Sequence, residues 1–274
     1  MAGRLTVCPT PIGNLEDISG RALRALEEAD LVACEDTRRA GRLYERLEIT
    51  RPRLVSNHEG NEKQRARQLV QQIERGAKVV LISDAGTPMI SDPGYPLVRE
   101  CIERGLEIEV LPGPSSVITA LVASGLPVDR WRFEGFLPRR PGELERVLNS
   151  PETVVAFESP RRLPSSLSAL AALAPDRAAA VCRELTKLHE EVARGTLGDL
   201  ARHFRDEPKG EIVVVLAPAS AHAATSDVAF AVDALRRLVQ SGARPRAAAS
   251  VVAALTGTRA NDLYRGLTGR DPRE

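Results

Sequence analysis

Aromatic side chains are scarce, at 3% of the 274 residues, with one Trp, three Tyr and five Phe. The apolar mass is mostly Ala, Val and Leu, so the core must be aliphatic. A dominant charge is also missing. The formal net charge is +1, which leaves no global field to draw in an anionic polymer, so any nucleic-acid affinity must come from local patches. Cysteines are few and scattered. Cys8, Cys34, Cys101 and Cys182 each lie in or beside an apolar run, no CxxC pair occurs, and no His stands at ligand spacing from any of them. This pattern argues against a disulfide framework and a zinc site, so no metal is expected; it fits free buried thiols in a reducing compartment. No apolar run approaches the roughly 20 residues that cross a bilayer. The N-terminus runs directly into a strand-like stretch without a leader pattern, and the expectation is a soluble cytoplasmic protein with no membrane partner. Missing too are GxxxxGK[ST], a GxGxxG after the first strand, and GxSxG. Their absence argues against a P-loop NTPase, an ordinary dinucleotide or Rossmann-type methyltransferase site, and a serine-hydrolase elbow.

What is present is a regular alternation over the first 125 residues. Leu5–Cys8, Leu31–Cys34, Leu54–Val55, Val79–Ile82 and Ile108–Leu111 read as strands. Helical patterns follow Asp17, which can cap the first of them. Others run from about Glu62 to Arg75 with Gly76 as C-cap, from about Tyr95 to Gly105, and over Val117–Ala123 with Gly125 as cap. Strands alternating with helices predict a parallel sheet covered on its faces. Its strand-end loops all emerge on one edge, where open α/β sheets bind ligands. The longest is Ser83–Gly94, whose two Gly, two Pro and two Asp fix a turning backbone with little bulk. Such a loop suits close approach to a small molecule and equally suits an ordinary connection. Ser115 and Ser116 open the last helix; its free N–H groups can receive an anionic group, or the serines simply cap it.

Leu126 to about Trp131 reads as a linker. Beyond it, Phe133–Leu137, Thr153–Phe157, Ala178–Cys182, Glu191–Ala193 and Ile212–Leu216 are strand-like, with a helix over Leu163–Leu173. Fewer helices per strand predict a mixed sheet in a second α/β domain. From Ser226 the pattern is helical, stopped by Gly242 and resumed over Ala247–Leu255 and Arg259–Leu267 around Thr256-Gly257-Thr258, like a helix-turn-helix. The expected division is therefore residues 1–125, 126–222 and a basic helical 223–274. The tail carries Arg236, Arg237, Arg244, Arg246, Arg259, Arg265, Arg270 and Arg273; these read as phosphate contacts or as solvated arginines of a packing appendage.

Nine stretches occur in order: TPIGNLEDIS, ACEDTRR, SNHEGNE, LISDAGTPMISDPGYPLV, LPGPSSVITALVASGL, FEGFLP, FESPRRL, RELTKLHEE and GEIVVVLAP. Together they resemble the tetrapyrrole-methylase superfamily, and within it the branch that methylates small-subunit ribosomal RNA. The resemblance spans roughly residues 4–218, and the basic tail fits it. It implies two α/β domains with S-adenosyl-L-methionine in the cleft between them, a small C-terminal helical domain, and a homodimer. It further implies methylation of a cytidine ribose 2′-hydroxyl in the decoding region of 16S ribosomal RNA, with the small ribosomal subunit as partner. The cofactor contacts it implies are Pro11, Gly13, Asp84, Gly86, Thr87, Pro88, Ile90, Ser91, Ser115 and Ser116. This sequence departs from the pattern at Arg161, where relatives commonly carry His, and at PGPSS, where many have an Ala-rich version.

Methyl transfer from a sulfonium is an in-line displacement, so placing the ribose oxygen behind the methyl group is the main task. The hydroxyl proton needs an acceptor. Glu35, Asp36, Glu59 and Lys187 stand near predicted element ends, with Asp36, Glu59 and Lys187 as the catalytic candidates. Asp36 can also merely cap a helix or pair with Arg38, and a Lys base would need a lowered pKa. Arg38, Arg39, Arg139, Arg140, Arg161, Arg162, Arg244, Arg246 and Arg259 are the expected RNA phosphate contacts. The alternative is a methylase of a tetrapyrrole precursor, which would have no need of the basic tail.

Overall fold

A computed structural model describes residues 3–219, 222–256 and 259–268. The larger compact body runs up to Leu148 and resumes over Glu152–Ala217. Its first sheet contains β1 (Arg4–Val7), β2 (Leu31–Cys34), β3 (Arg53–Ser56), β4 (Lys78–Leu81) and β5 (Glu107–Val110) in the order β3-β2-β4-β1-β5. Every pairing in it is parallel. The crossovers are α1 (Gly20–Glu27), α2 (Thr37–Arg46), α3 (Glu62–Glu74) and α4 (Tyr95–Glu103), and α5 (Ser116–Ser124) follows β5.

Successive strand residues face opposite ways, and both faces are buried. On one, Val79 and Leu81 meet Leu69, Val70 and Ile73 of α3 and Leu97 and Cys101 of α4. On the other, Val80 and Ile82 meet Leu26 of α1 and Ala40 and Tyr44 of α2. All four cysteines are free and buried; burial pushes the Cys8 and Cys34 thiols up to about 12, so they are inert.

The second sheet contains β6 (Trp131–Phe136), β7 (Thr153–Glu158), β8 (Ala178–Arg183), β9 (Glu191–Thr196) and β10 (Ile212–Leu216), ordered β6-β7-β10-β8-β9. The β6–β7 pair is parallel and the rest antiparallel, so the sheet is mixed. Leu144 and Val147 of α6 (Pro141–Leu148), Leu163 and Leu167 of α7 (Leu163–Leu173) and Leu200 of α8 (Leu197–His203) cover one face. The other face is covered by α5, whose Val117, Ala120 and Leu121 pack on Val155, Ala180, Cys182, Val213 and Val215. Arg194 of β9 donates from Nε to the Ala123 carbonyl at 3.0 Å, satisfying an acceptor at the free end of α5.

The second compact unit comprises Asn149–Pro151 and the chain from Pro218 onward. Within it α9 (His222–Gln240), α10 (Pro245–Thr256) and α11 (Ala260–Thr268) enclose Ala231, Leu235, Ala249, Val252 and Leu263. Gly242, at φ 94°, lies just beyond the end of α9. In the expected turn of the helix-turn-helix, Gly257 and Thr258 lie outside the described residues, as do Arg270 and Arg273.

The structure corrects the sequence reading locally. Asp17 closes a short 3-10 turn, and Ser19 caps α1 by accepting from the Ala22 N–H. Helices α2, α6 and α8 were not expected. The run TRRAGRLYER hides a three-residue buried face, Ala40, Gly41 and Tyr44, among arginines; α6 opens on Pro-Gly, and α8 is only seven residues long.

Gly94 fixes the entry to α4. Its φ is 136°, and a Cβ there would stand 2.7 Å from Leu81 Cδ2. Its N–H donates to Glu62 Oε2 at 3.0 Å, tying α4 to α3. Gly94→Ala is expected to destabilise the fold by about 2 kcal/mol or more through strain and overpacking. The check is the urea midpoint; a wild-type value would refute the assignment.

Candidate active site

The strand order reverses direction between β4 and β1, which is where a ligand crevice forms at the carboxyl ends of the strands. The two loops leaving these strands are joined there. Thr10 N–H donates to the Gly86 carbonyl at 2.9 Å, and Gly86 N–H returns a bond to Thr10 at 3.0 Å. Ser83 Oγ donates to the Ala85 and Gly86 carbonyls, holding the turn from inside. Thr87 Oγ1 donates to the Pro114 carbonyl at 3.1 Å and so ties in the loop before α5. The 83–94 loop is tightly wound: Gly86, Met89 and Ser91 have φ of 76°, 71° and 64°. For Met89 and Ser91 that conformation costs on the order of 1–3 kcal/mol each and persists only where the surroundings impose it.

The second sheet contributes the opposite wall. After β8, Glu184 and Thr186 are also left-handed. Asn14 N–H donates to Thr186 Oγ1 at 3.0 Å, and a Cβ on Gly13 would stand 2.4 Å from Lys187 Cγ, so the loop after β1 lies directly against residues 185–187. Lys187 Nζ bridges Glu184 at 2.7 Å and Glu211 at 3.0 Å.

Between these walls lies a cavity of about 510 Å³, within the usual range for small-molecule sites. Its first-sheet side includes Ile12, Glu35, Arg39, Asp84–Thr87, Ile90 and Asp92, and Ser115–Val117 stand at the start of α5. Phe136, Phe157, Glu158, Leu185 and Glu211 are on the second-sheet side. Five carboxylates and one Arg therefore face it. Arg39 pairs with Asp84 at 3.1 Å. Glu158, fully buried, accepts from Ser166 Oγ at 2.5 Å and from the Ser159 N–H at 2.7 Å, and meets Arg162 at 3.3 Å. Burial, reinforced by Glu35, pushes the Asp92 carboxyl up to about 6 against the pull of a Ser83 hydrogen bond. Burial and then Asp84 likewise raise Glu35. A polar small molecule carrying positive charge suits the acids, and an anionic end suits the first N–H groups of α5.

A family model described as Tetrapyrrole (Corrin/Porphyrin) Methylases matches residues 4–201. The chain belongs to the tetrapyrrole methylase family. It is 47% identical over 270 residues to the ribosomal RNA small subunit methyltransferase I of Mesorhizobium japonicum, covering 96% of this chain and 90% of that one. The protein of the same name from Escherichia coli O157:H7 is 41% identical over 273 residues, covering 96% and 94%. That of Thermotoga maritima is 45% identical over 218 residues, covering 78% of this chain and 98% of its own length. Among solved structures, diphthine synthase superposes with a TM-score of 0.63 at 20% identity, covering 78% of this chain and 90% of that one. The uroporphyrin-III C-methyl transferase from Thermus thermophilus complexed with S-adenyl homocysteine gives 0.57 at 21%, covering 78% and 97%. These two show the shared fold.

In this tetrapyrrole methylase, six of the ten expected cofactor residues, Asp84, Gly86, Thr87, Ile90, Ser115 and Ser116, line the cavity. Pro11, Gly13, Pro88 and Ser91 belong to the same loops but are not among its lining residues. The three catalytic candidates are not in the wall either. Asp36 caps α2 by accepting from the Arg38 N–H and pairs with the Arg38 guanidinium at 2.8 Å, which holds its carboxyl far below the usual range. Glu59 is exposed on the turn after β3. Burial pulls Lys187 down, but Glu184 and Glu211 outweigh it and leave the ammonium above its ordinary value, opposite to what a base requires. Sequence reasoning missed Asp92, Glu158 and Glu211. Asp92 was visible as the second acid of the 83–94 loop, whereas Glu158 ends β7 and Glu211 precedes β10, and both read as turn polarity.

Because the native Asp92 pKa lies above the ordinary 3.8, the native state binds the proton more tightly. Its contribution to stability is present at low pH and is lost as pH rises from about 4 through about 6. Asp92→Asn is expected to raise the melting temperature above pH 6 and leave it unchanged below pH 4. Parallel melting curves against pH for both proteins would refute the shift.

Proposed function

We propose that this chain transfers the methyl group of S-adenosylmethionine to the ribose 2′-hydroxyl of a cytidine in the decoding region of 16S ribosomal RNA, in the cytoplasm and within the small subunit. The observation that carries this reading is the 41–47% identity, over 96% of the chain, to proteins named ribosomal RNA small subunit methyltransferase I. The cavity fits the cofactor by its chemistry. Ser115, Ser116 and the first N–H groups of α5 would hold a carboxylate end, Glu35 and Asp84 would offset positive charge, and Ile12, Ile90 and Leu185 offer apolar wall. When bound, the cofactor supplies an electrophilic methyl group. The protein's part is to orient the ribose oxygen toward it, exclude water and take up a proton.

The RNA contacts expected from sequence separate on structural grounds. Arg38 and Arg39 are held by Asp36 and Asp84. Arg140 pairs with Glu143 at 3.6 Å, and Arg162 donates to the Leu137 carbonyl at 2.8 Å beside Glu158. Arg139 and Arg161 are exposed with no acidic partner among the described residues. Both line a second cleft, of about 850 Å³, that shares Ser159 and Pro160 with the first cavity. A strand whose target ribose enters the first cavity would lay its flanking phosphates there. Arg246 in α10, and Arg244 and Arg259 just before α10 and α11, are exposed and serve as further phosphate contacts. The proposed division of labour follows residues 1–125, 126–222 and 223–274. Ile118 and Val122, four apart on α5 and 47% and 70% exposed, offer an apolar stripe for a homodimer.

The test is to map methyl groups on small-subunit RNA treated with the purified protein and S-adenosylmethionine. A new ribose methyl in the decoding region is expected; transfer to a uroporphyrin-type acceptor instead would overturn the reading. A paired Arg139→Ala and Arg161→Ala variant should flatten the plot of log affinity against log salt by about 0.7 per lost phosphate contact. Arg140→Ala should leave the slope unchanged, and equal slopes in all three proteins would remove the second cleft from the RNA path.

A further inference from the structure

Of the five carboxylates facing the cavity, three are already engaged. Asp84 holds Arg39 and accepts from the Asp36 N–H at 3.2 Å. Glu158 is bound by Ser159, Ser166 and Arg162. Glu211 is paired with Lys187. Glu35 feels the Arg39 guanidinium. Asp92 forms no ion pair among the described residues, and the groups acting on it most strongly are Glu35 from the loop after β2, Asp84 from its own loop, Glu211 from just before β10, and the Ser83 hydroxyl. It is also well placed mechanically. Ser91 beside it and Met89 three positions earlier are wound into left-handed backbone, and Gly94 two positions later caps α4, so the carboxylate sits on a segment with little freedom.

We propose that the Asp92 carboxylate is the group that accepts the ribose proton, a role that rests on the reading of this site as a ribose methylase. In the step, the ribose oxygen bonds to the methyl carbon, the carbon–sulfur pair leaves to sulfur, and the O–H proton passes to Asp92. One positive charge disappears at sulfur and one negative charge at the carboxylate. A group held near neutrality is suited to this, being largely ionised at cellular pH yet still a usable acceptor.

Asp92→Asn keeps the shape and removes the basic oxygen. Turnover on small-subunit RNA is expected to fall by about a hundredfold or more, and the rise in wild-type rate through pH 6 should vanish. Two readouts do not depend on turnover. Carbon-13 NMR of carboxyl-labelled free protein should show one carboxyl titrating near pH 6 that is absent from the variant. Calorimetry should give an S-adenosylmethionine affinity that falls by no more than about tenfold, well short of the loss in turnover. An affinity that falls in step with turnover would make Asp92 a cofactor contact and overturn the proposal, as would an unchanged rate. A wild-type methyl group mapped to a base atom would overturn the ribose reading itself, a result distinguishable from either.

Discussion

Two reciprocal hydrogen bonds between Thr10 and Gly86 hold the site together. In a parallel sheet the loops beyond the strand ends have no ladder to follow and are free to diverge. Here β1 and β4 are parallel neighbours, and beyond the sheet edge the loops that follow them are joined by an antiparallel bridge between Thr10 and Gly86. Gly86 accepts this at φ 76°, and a Cβ there would already press on Ile12 Cγ2 at 3.2 Å. Once the two loops run side by side, the positions of Ile12, Asp84, Thr87 and Asp92 are set together. A loop that places several groups at once needs few residues of its own to be rigid, which is why the strain at Met89 and Ser91 is tolerable.

The second constraint is α5. It follows the last strand of the first sheet, yet its apolar face packs on the second. Its N-terminus, capped by Ser115 onto the Ile118 N–H, opens toward the cavity, while its far end is held by Arg194. The two sheets are therefore coupled by one helix buried on its inner side, and the cavity wall and the shared core are parts of the same packing. Asn14 and Gly13 against Thr186 and Lys187 close the arrangement from the other side.

Most strands were legible because they are short apolar runs bounded by turn residues; β2, α7 and β10 begin and end where the sequence pattern places them. Helix α2 was not, because its three buried residues are small or aromatic and stand among arginines. The cavity loops could be read from their glycines and prolines, but the state of each charged group could not. Lys187 is held charged partly by Glu211, 24 positions away, and Asp92 is raised partly by Glu35, on a different loop. No periodicity or spacing encodes such meetings, since they depend on which loops the strand order brings to one edge. Asp36 illustrates the converse: capping and pairing with Arg38 are both local, and both are present.

The cavity's own electrostatics tie these strands together. Acids of one sign crowded into a partly buried space destabilise one another when ionised, so the cavity by itself favours a proton on its least compensated member. Asp92 is that member. Any positive charge entering the cavity reverses the balance, stabilising the ionised carboxylate and releasing the proton. By linkage, such a ligand binds more tightly as pH rises through the Asp92 titration, and a larger fraction of the carboxylate stands ionised, free to take up a proton, once the ligand is in place. An acid-lined cavity with a single, already paired arginine thus couples occupancy to readiness: the charge that makes the site costly to keep open disposes it to act when filled.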